Sequence, residues 1–473
     1  MWRQIQLNIL PVFIDYMVDK GIPELPPELP SPRGYSIEEA EAFVRDNVKA
    51  LRSSLKGANL LDPCLIRSQE DLRKLKERLA AEVDFLLPIQ VGHEYRSGWR
   101  DTSPVIVRLG DYGKPIICVS LSVWGFDHAL QPVSVLKAAG RETYFATDVE
   151  DLNRLLKILR AKKALGRSRI ILFSNHPILT TCTIYDPIIL KNKIGLNLEY
   201  WDRQRLHRAF KKISPSQAER EADTWIKDAS EIRVLYREGE VDRKYIVEQA
   251  KIYLTLKRLA EEEDIDGFAG CRPVDRSLFD APACFSYVKL KDEGIPCICE
   301  ADLNAGIAMM MLMYLSEKPA DMGNVLMPTD KPDMEDFEVP NPDKNTLVIT
   351  HSVTPLRPDG FDTPQNPYII CGTHCDTCWA FNTYTELRQG QKVTMARLSW
   401  QGDRLLISEG KIKQSRLTRA QGNRECVYIK VRNRARLLRA LAGYGNHLTY
   451  VYGKYGEELG ALCRLLGILP EYI

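Results

Sequence analysis

Neither sign of charge is in excess in this chain: 65 Lys and Arg stand against 63 Asp and Glu over 473 residues, a formal net charge of +2. Nucleic-acid binders concentrate a basic surplus, so the balance argues against a polyanionic partner. Long apolar runs are missing as well. The longest candidate, Ala305 to Leu315 (AGIAMMMLMYL), falls short of the ~20 residues that span a bilayer. It reads as a buried helix, and no membrane partner is expected. The segment from Met1 to Phe13 has no small-residue cleavage site after it, so no secretory signal is read. Twelve cysteines at irregular spacing then predict reduced thiols in a cytoplasmic protein, without disulfides.

Several nucleotide and hydrolase signatures are also lacking. There is no G-x-x-x-x-G-K-[ST] and no G-x-G-x-x-G after a strand, which removes the main support for kinase, ATPase and Rossmann oxidoreductase readings. Without G-x-S-x-G the commonest hydrolase elbow is gone. The basic stretch Val431 to Ala440 is amphipathic and reads as a solvated helix face.

What the chain does contain is a soluble globular pattern, 44% apolar and 27% charged. Residues 1–165 read as an N-terminal α/β domain. Strand-like segments Val83–Gly92, Ser103–Gly110 and Pro115–Gly125 alternate there with helix-like Leu130–Gly140 and Val149–Ala164. Residues 166–326 repeat the pattern and carry an acidic strand end. Residues 327–344, rich in Pro and Asp, read as a linker. Residues 345–473 hold closely spaced strands with little helix. The predicted class is therefore α/β, with two doubly wound parallel-sheet domains and a C-terminal antiparallel, barrel-like β-domain. The terminal strand and helix of that β-domain are expected to pack back on the second α/β domain.

Pro296 to Asn304 (PCICEADLN) is the most informative stretch. An apolar strand runs into Glu300 and Asp302, and a helix starts near Asn304. A two-residue strand period puts both carboxylates on one face, at the carboxyl end of a parallel strand, where open α/β sheets bind ligands. Two carboxylates there could hold a hard divalent cation or exchange protons with a substrate. Asp302 or Asn304 could equally cap the following helix. Histidine is scarce, with seven residues in all. His447 follows a Gly-Asn turn and would complete a mixed oxygen and nitrogen site suited to Mn²⁺ or a similar ion. Cys371, Cys375 and Cys378 have the C-x₃-C-x₂-C spacing of a cluster with three thiolate ligands, and the alternative is three reduced thiols in a β-domain.

Four segments, in the same order, carry a resemblance. GIPCICEADLNAGIAMMMLMYLS, SVWGFDHALQPVSVLKAAG, KVTMARLSWQGDRLLISEGKI and GNHLTYVYGKYGEELGALCRLLGI are similar to segments of the L-fucose isomerase and L-arabinose isomerase-like family, over roughly residues 80 to 473. The resemblance implies a homo-oligomer, trimer or hexamer, that interconverts an aldose and its ketose with a divalent metal, Mn²⁺ or another divalent cation. It matches Asp302 and His447 to metal-binding residues and Asn446 to a substrate contact. The chain departs from the pattern where the family has an upstream glutamate. Cys284 stands there, with Asp280 nearby, and Glu300 is the preferred replacement.

The reading that follows is a cis-enediol isomerisation of a hexose, a deoxy- or substituted hexose, or a pentose. Asp302, His447 and Glu300 are expected to hold Mn²⁺ or another divalent cation, and Glu300 and Asp302 to transfer protons. Asn446, His351, His374, Trp124 and His93 are candidate sugar contacts. Two alternatives stay open: a catalytically idle sugar-binding or regulatory relative, and an iron–sulfur protein using the three cysteines.

Overall fold

The computed structural model describes residues 2–15, 36–79, 82–91, 103–120, 125–173, 186–234, 242–270, 281–326, 343–375, 378–418 and 424–473. Side chains at 125–128, 234, 373–375, 378–380, 418 and 424 fall outside the description. The chain divides into two compact units, one of residues 5–160 and one of residues 1–4 with 161–473.

The first unit is built on six parallel strands. They are β1 (Leu7–Ile14), β2 (Ala58–Leu60), β3 (Cys64–Ile66), β4 (Phe85–Gln90), β5 (Ile116–Val119) and β6 (Thr143–Ala146). Their order is β2-β1-β4-β5-β6, with β3 also paired to β1. Seven of the eight β1 residues are buried, as a strand covered on both faces requires. The segment Ser103–Leu109, expected as a strand, is a helix. Pro104 lies in its first turn, where the missing N–H costs nothing, and Val105 and Leu109 meet the core four residues apart. The apolar, β-branched composition that suggested a strand serves a helix face equally well.

The second unit begins with another parallel sheet. Strands β7 (Arg169–Leu172), β8 (Asn197–Tyr200), β10 (Gly267–Gly270) and β11 (Cys297–Cys299) lie in the order β11-β10-β7-β8, while β9 (Glu231–Val234) pairs elsewhere. Then follow β12 (Asp321–Leu326), β13 (Thr346–His351), β14 (Tyr368–Cys375), β15 (Cys378–Thr385) and β16 (Lys392–Leu398). The last strands are β17 (Arg404–Thr418), β18 (Arg424–Val431), β19 (His447–Tyr452) and β20 (Leu469–Tyr472). Six of these form an antiparallel barrel, β16-β19-β12-β13-β18-β17, closed by β16 pairing with β17. Closure removes the sheet edges that would otherwise be left to pair. Strand β20 adds to β17 in parallel, and β9, β14 and β15 make a small separate sheet. The class is therefore α/β with two parallel sheets and a C-terminal antiparallel barrel. No helix among the described residues is long and apolar enough to cross a membrane.

The helix Leu303–Ser316 connects β11 to β12 and packs against β16 and β19. All fourteen of its residues are buried, which is what an apolar helix without a polar face demands. At Gly306 the β11 side chain Ile298 approaches so closely that an added Cβ would lie 2.3 Å from its Cδ1. The N-terminus is fastened to the same unit: Trp2 donates to the Gly294 carbonyl at 2.6 Å and stacks on Tyr314 at 4.2 Å.

The helix Cys284–Asp292 is tied to the barrel by buried charges. Lys291 reaches Asp321 at 3.2 Å, and Asp321 also accepts from Thr354 at 2.8 Å and Tyr450 at 3.0 Å. Next to it, Asp292 accepts from the N–H groups of Leu356 and Arg357, each at 3.1 Å. Burial pushes the Asp292 carboxyl up to about 7, against the lowering effect of these hydrogen bonds and of Lys289 and Lys291.

Two outcomes are expected. Gly306→Ala, which in an open helix would gain up to about 1 kcal/mol, should instead destabilise by about 1–3 kcal/mol through overpacking, read as a lower urea midpoint. Because the folded Asp292 holds its proton more tightly than the unfolded chain, its contribution is complete below about pH 4 and is lost as pH rises towards 7. Asp292→Asn should flatten the fall in unfolding free energy across that window, and an identical slope in both proteins would contradict the account.

Candidate metal centre

Strand β11 stops at Cys299, and the next two residues turn left-handed: Glu300 has φ 56° and Ala301 φ 57°. Such positions cost roughly 1–3 kcal/mol each for residues with a Cβ, so they persist only where the surroundings impose them. The expectation that Glu300 and Asp302 share a strand face is corrected here. Both lie beyond the strand, and the turn gives them different surroundings.

Asp302 caps the Leu303–Ser316 helix, accepting from the Ala305 N–H at 3.2 Å. Its carboxylate has no exposed surface and faces the equally buried Arg397 of β16, at 2.8 Å to Oδ2 and 3.3 Å to Oδ1. The same Oδ2 is 2.9 Å from His447 Nδ1. Burial pushes this carboxyl up, but the His447 hydrogen bond and the Arg397 charge outweigh it and hold it below the ordinary range. An ionised Asp302 accepts only, so His447 Nδ1 is the donor, and in the neutral imidazole Nε2 then carries the lone pair. Arg397 also donates to the carbonyls of His447, at 2.6 Å, and Tyr444. Gly445 has φ 106°, and an added Cβ there would sit 2.6 Å from Arg397 Nη2, so the turn before β19 has no room for a side chain.

Glu300, His351 and His447 come together at this junction, each offering one ligand atom, all within 4.8 Å of one another. His351 ends β13 and His447 begins β19; both are buried, and their rings meet edge to face at 5.6 Å. Glu300 is the rim of the group, with its side chain 20% exposed. His447 Nε2 is buried without a hydrogen-bond partner and lies 3.5 Å from Glu300 Oε2. A buried imidazole nitrogen with a free lone pair, a second imidazole and a carboxylate form a donor set that fits a metal ion. Among the described residues this is the one such group, and it could hold a cation.

The metal set expected from sequence was Asp302, His447 and Glu300. The structure brings Glu300 and His447 together in a group that could hold a cation, engages Asp302 with Arg397 and His447, and makes His351, expected as a sugar contact, the third member of that group. Asn446 is exposed beside His447, and its Oδ1 accepts from the Val325 N–H at 2.9 Å, pinning the end of β12. His374 lies on β14, and its side chain falls outside the description, as do His93, Trp124 and Asp280 entirely. Cys284 starts the helix Cys284–Asp292 and is not part of the group. Cys371 is buried on β14, its thiol pushed up to about 12 by burial. It sits four residues before Cys375 on the same strand, about 13 Å at 3.3 Å per residue.

Arg397 went unrecognised in the sequence. Its signal is a guanidinium inside the alternating apolar strand KVTMARL, where a charge must find a buried partner. Arg397→Leu should cost about 3–5 kcal/mol, because it leaves Asp302 buried and uncompensated. The double variant Arg397→Leu, Asp302→Leu should recover most of that loss in urea unfolding; a double as unstable as the single would show that the pair is not what matters.

No family model matches this chain, and no curated protein matches its sequence.

Proposed function

We propose that this protein is a metal-dependent aldose–ketose isomerase, acting on a hexose, a deoxy- or substituted hexose, or a pentose. The observation that carries the reading is the buried Glu300, His351 and His447 group, set just past the carboxyl end of a parallel strand with one carboxylate at the solvent rim. Glu300, His351 and His447 would hold Mn²⁺ or another divalent cation. When bound, that ion supplies Lewis-acid stabilisation to the hydroxy-carbonyl end of an open-chain sugar.

The chain's own groups account for the remaining steps. Glu300 is the one member of the group that reaches solvent, and in this proposal it takes the C2 proton and delivers it to C1, while the O2 hydroxyl proton passes to solvent at that rim and O1 takes one back. Asp302, with both oxygens engaged, is assigned to holding His447. The exposed Asn446 has its amide nitrogen for a sugar hydroxyl while its oxygen holds β12. The buried imidazoles keep bulk water from the inner side of the group, which strengthens every charge interaction made there. A homo-oligomer, trimer or hexamer, belongs to the same proposal through the family resemblance.

The test is deuterium incorporation from D₂O into a panel of aldoses by metal-stripped protein, with and without Mn²⁺, read by mass spectrometry. The expected result is one deuteron at the carbon next to the carbonyl, dependent on metal, with Glu300→Gln slowed about 10²–10⁴-fold. Sugar binding without exchange would replace the isomerase with a binding protein, and neither binding nor exchange across the panel would end the sugar reading.

A further inference from the structure

Asp302 and Arg397 stand outside the ligand group, yet both are fully buried and held by several hydrogen bonds beside it. Four donors converge on the two Asp302 oxygens: Arg397 Nη1 and His447 Nδ1 on Oδ2, Arg397 Nη2 and the Ala305 N–H on Oδ1. A carboxylate has about four lone-pair sites, so these donors use its full capacity. To reach a cation it would have to break the ion pair with a guanidinium that is itself sealed and shared with the carbonyls of Tyr444 and His447. For His447 the consequence is a fixed tautomer. Nδ1 donates to Asp302 and Nε2, buried and without a hydrogen-bond partner, is presented beside Glu300.

We propose that Arg397 holds Asp302 out of metal coordination, so that Asp302 orients His447 and the cation is held by three protein groups, Glu300, His351 and His447. The assignment rests on the reading of these three residues as a metal centre. It makes Arg397 a positioning residue, acting through Asp302 and then His447. It also sets the class of cation. Two imidazoles with one carboxylate suit Mn²⁺, Fe²⁺, Co²⁺ or Zn²⁺ over Mg²⁺ and Ca²⁺, whose preferred ligands are oxygens alone. Three protein ligands leave coordination positions for two adjacent oxygens of a substrate, and a fourth protein ligand, the Asp302 carboxylate, would occupy one of the positions left open.

The experiment is a Co²⁺ titration of the metal-stripped full chain, read by visible ligand-field absorption and by affinity. Wild type should take one Co²⁺ that a large excess of Mg²⁺ does not displace. Asp302→Ala should weaken binding about 10–100-fold while keeping the wild-type band shape at saturation, as loss of an outer hydrogen-bond partner does. The double variant Arg397→Met, Asp302→Ala, which leaves no buried charge unpaired, should match it and guards against a misfolded single variant. His351→Ala should lose more affinity than either and change the bands. Arg397→Met alone frees Asp302, so its bands should shift towards a higher coordination number. The proposal is overturned if His351→Ala keeps the wild-type spectrum while Asp302→Ala abolishes it, which would make Asp302 the ligand. It is also overturned if Arg397→Met leaves the spectrum unchanged. A wild-type protein that binds no Co²⁺, Mn²⁺ or Zn²⁺ would remove the metal centre itself, a failure distinct from both.

Discussion

A guanidinium without exposed surface, Arg397, meets a carboxylate without any, Asp302, where the helix Leu303–Ser316 reaches the barrel. Attraction alone does not explain such a pair, since desolvating two charges costs about what their contact returns. Its effect is on geometry. The guanidinium fork spans Asp302 on one side and the carbonyls of Tyr444 and His447 on the other, so the helix start, the turn before β19 and the first residue of β19 are fixed against one another. Everything proposed for the metal centre depends on that fixation, because His447 presents Nε2 only while Nδ1 is held.

The surrounding architecture supplies the rest of the rigidity. A helix with no polar face can exist only with protein on all sides, and the barrel on one side and β11 on the other provide it. Gly306 lets Ile298 approach closely enough for that packing. Further along the same barrel, Lys291, Asp321, Tyr450 and Thr354 join a second helix to β12 and β19 through hydrogen bonds that leave no charge unmatched. The group of Glu300, His351 and His447 thus sits between elements anchored by polar contacts that would be expensive to break. In this setting the left-handed turn at Glu300 and Ala301 is held, and the carboxylate of Glu300 is placed at the rim.

Much of the second unit was legible in the sequence because its signals are local. The strands around Thr346, Lys392, Arg404 and Arg424 announce themselves by β-branched, alternating composition, and the Met-rich run by its length and uniform apolarity. Ser103–Leu109 misleads by the same rule, since a short apolar run fits a strand or a helix face and only its packing partner decides. Glu300 and Asp302 were visible as carboxylates at the end of an apolar strand, and His447 as one of only seven histidines, at a strand start. The separation of their roles was not, because strand periodicity carries no information once the chain leaves the strand.

Sequence alone determined the class: alternating apolar strands and helices, then closely spaced strands, become parallel sheets followed by an antiparallel barrel, since each pattern can be buried in few other ways. It also determined that acidic residues at a strand end precede a buried apolar helix. Only the tertiary structure decided which residues meet. His351 and His447, almost a hundred residues apart in the chain, become neighbours because β12 pairs with both β13 and β19. Arg397 finds Asp302 because β16 pairs with β19 beneath the helix. Those contacts are set by strand register and barrel closure, long-range properties that no local window of residues contains.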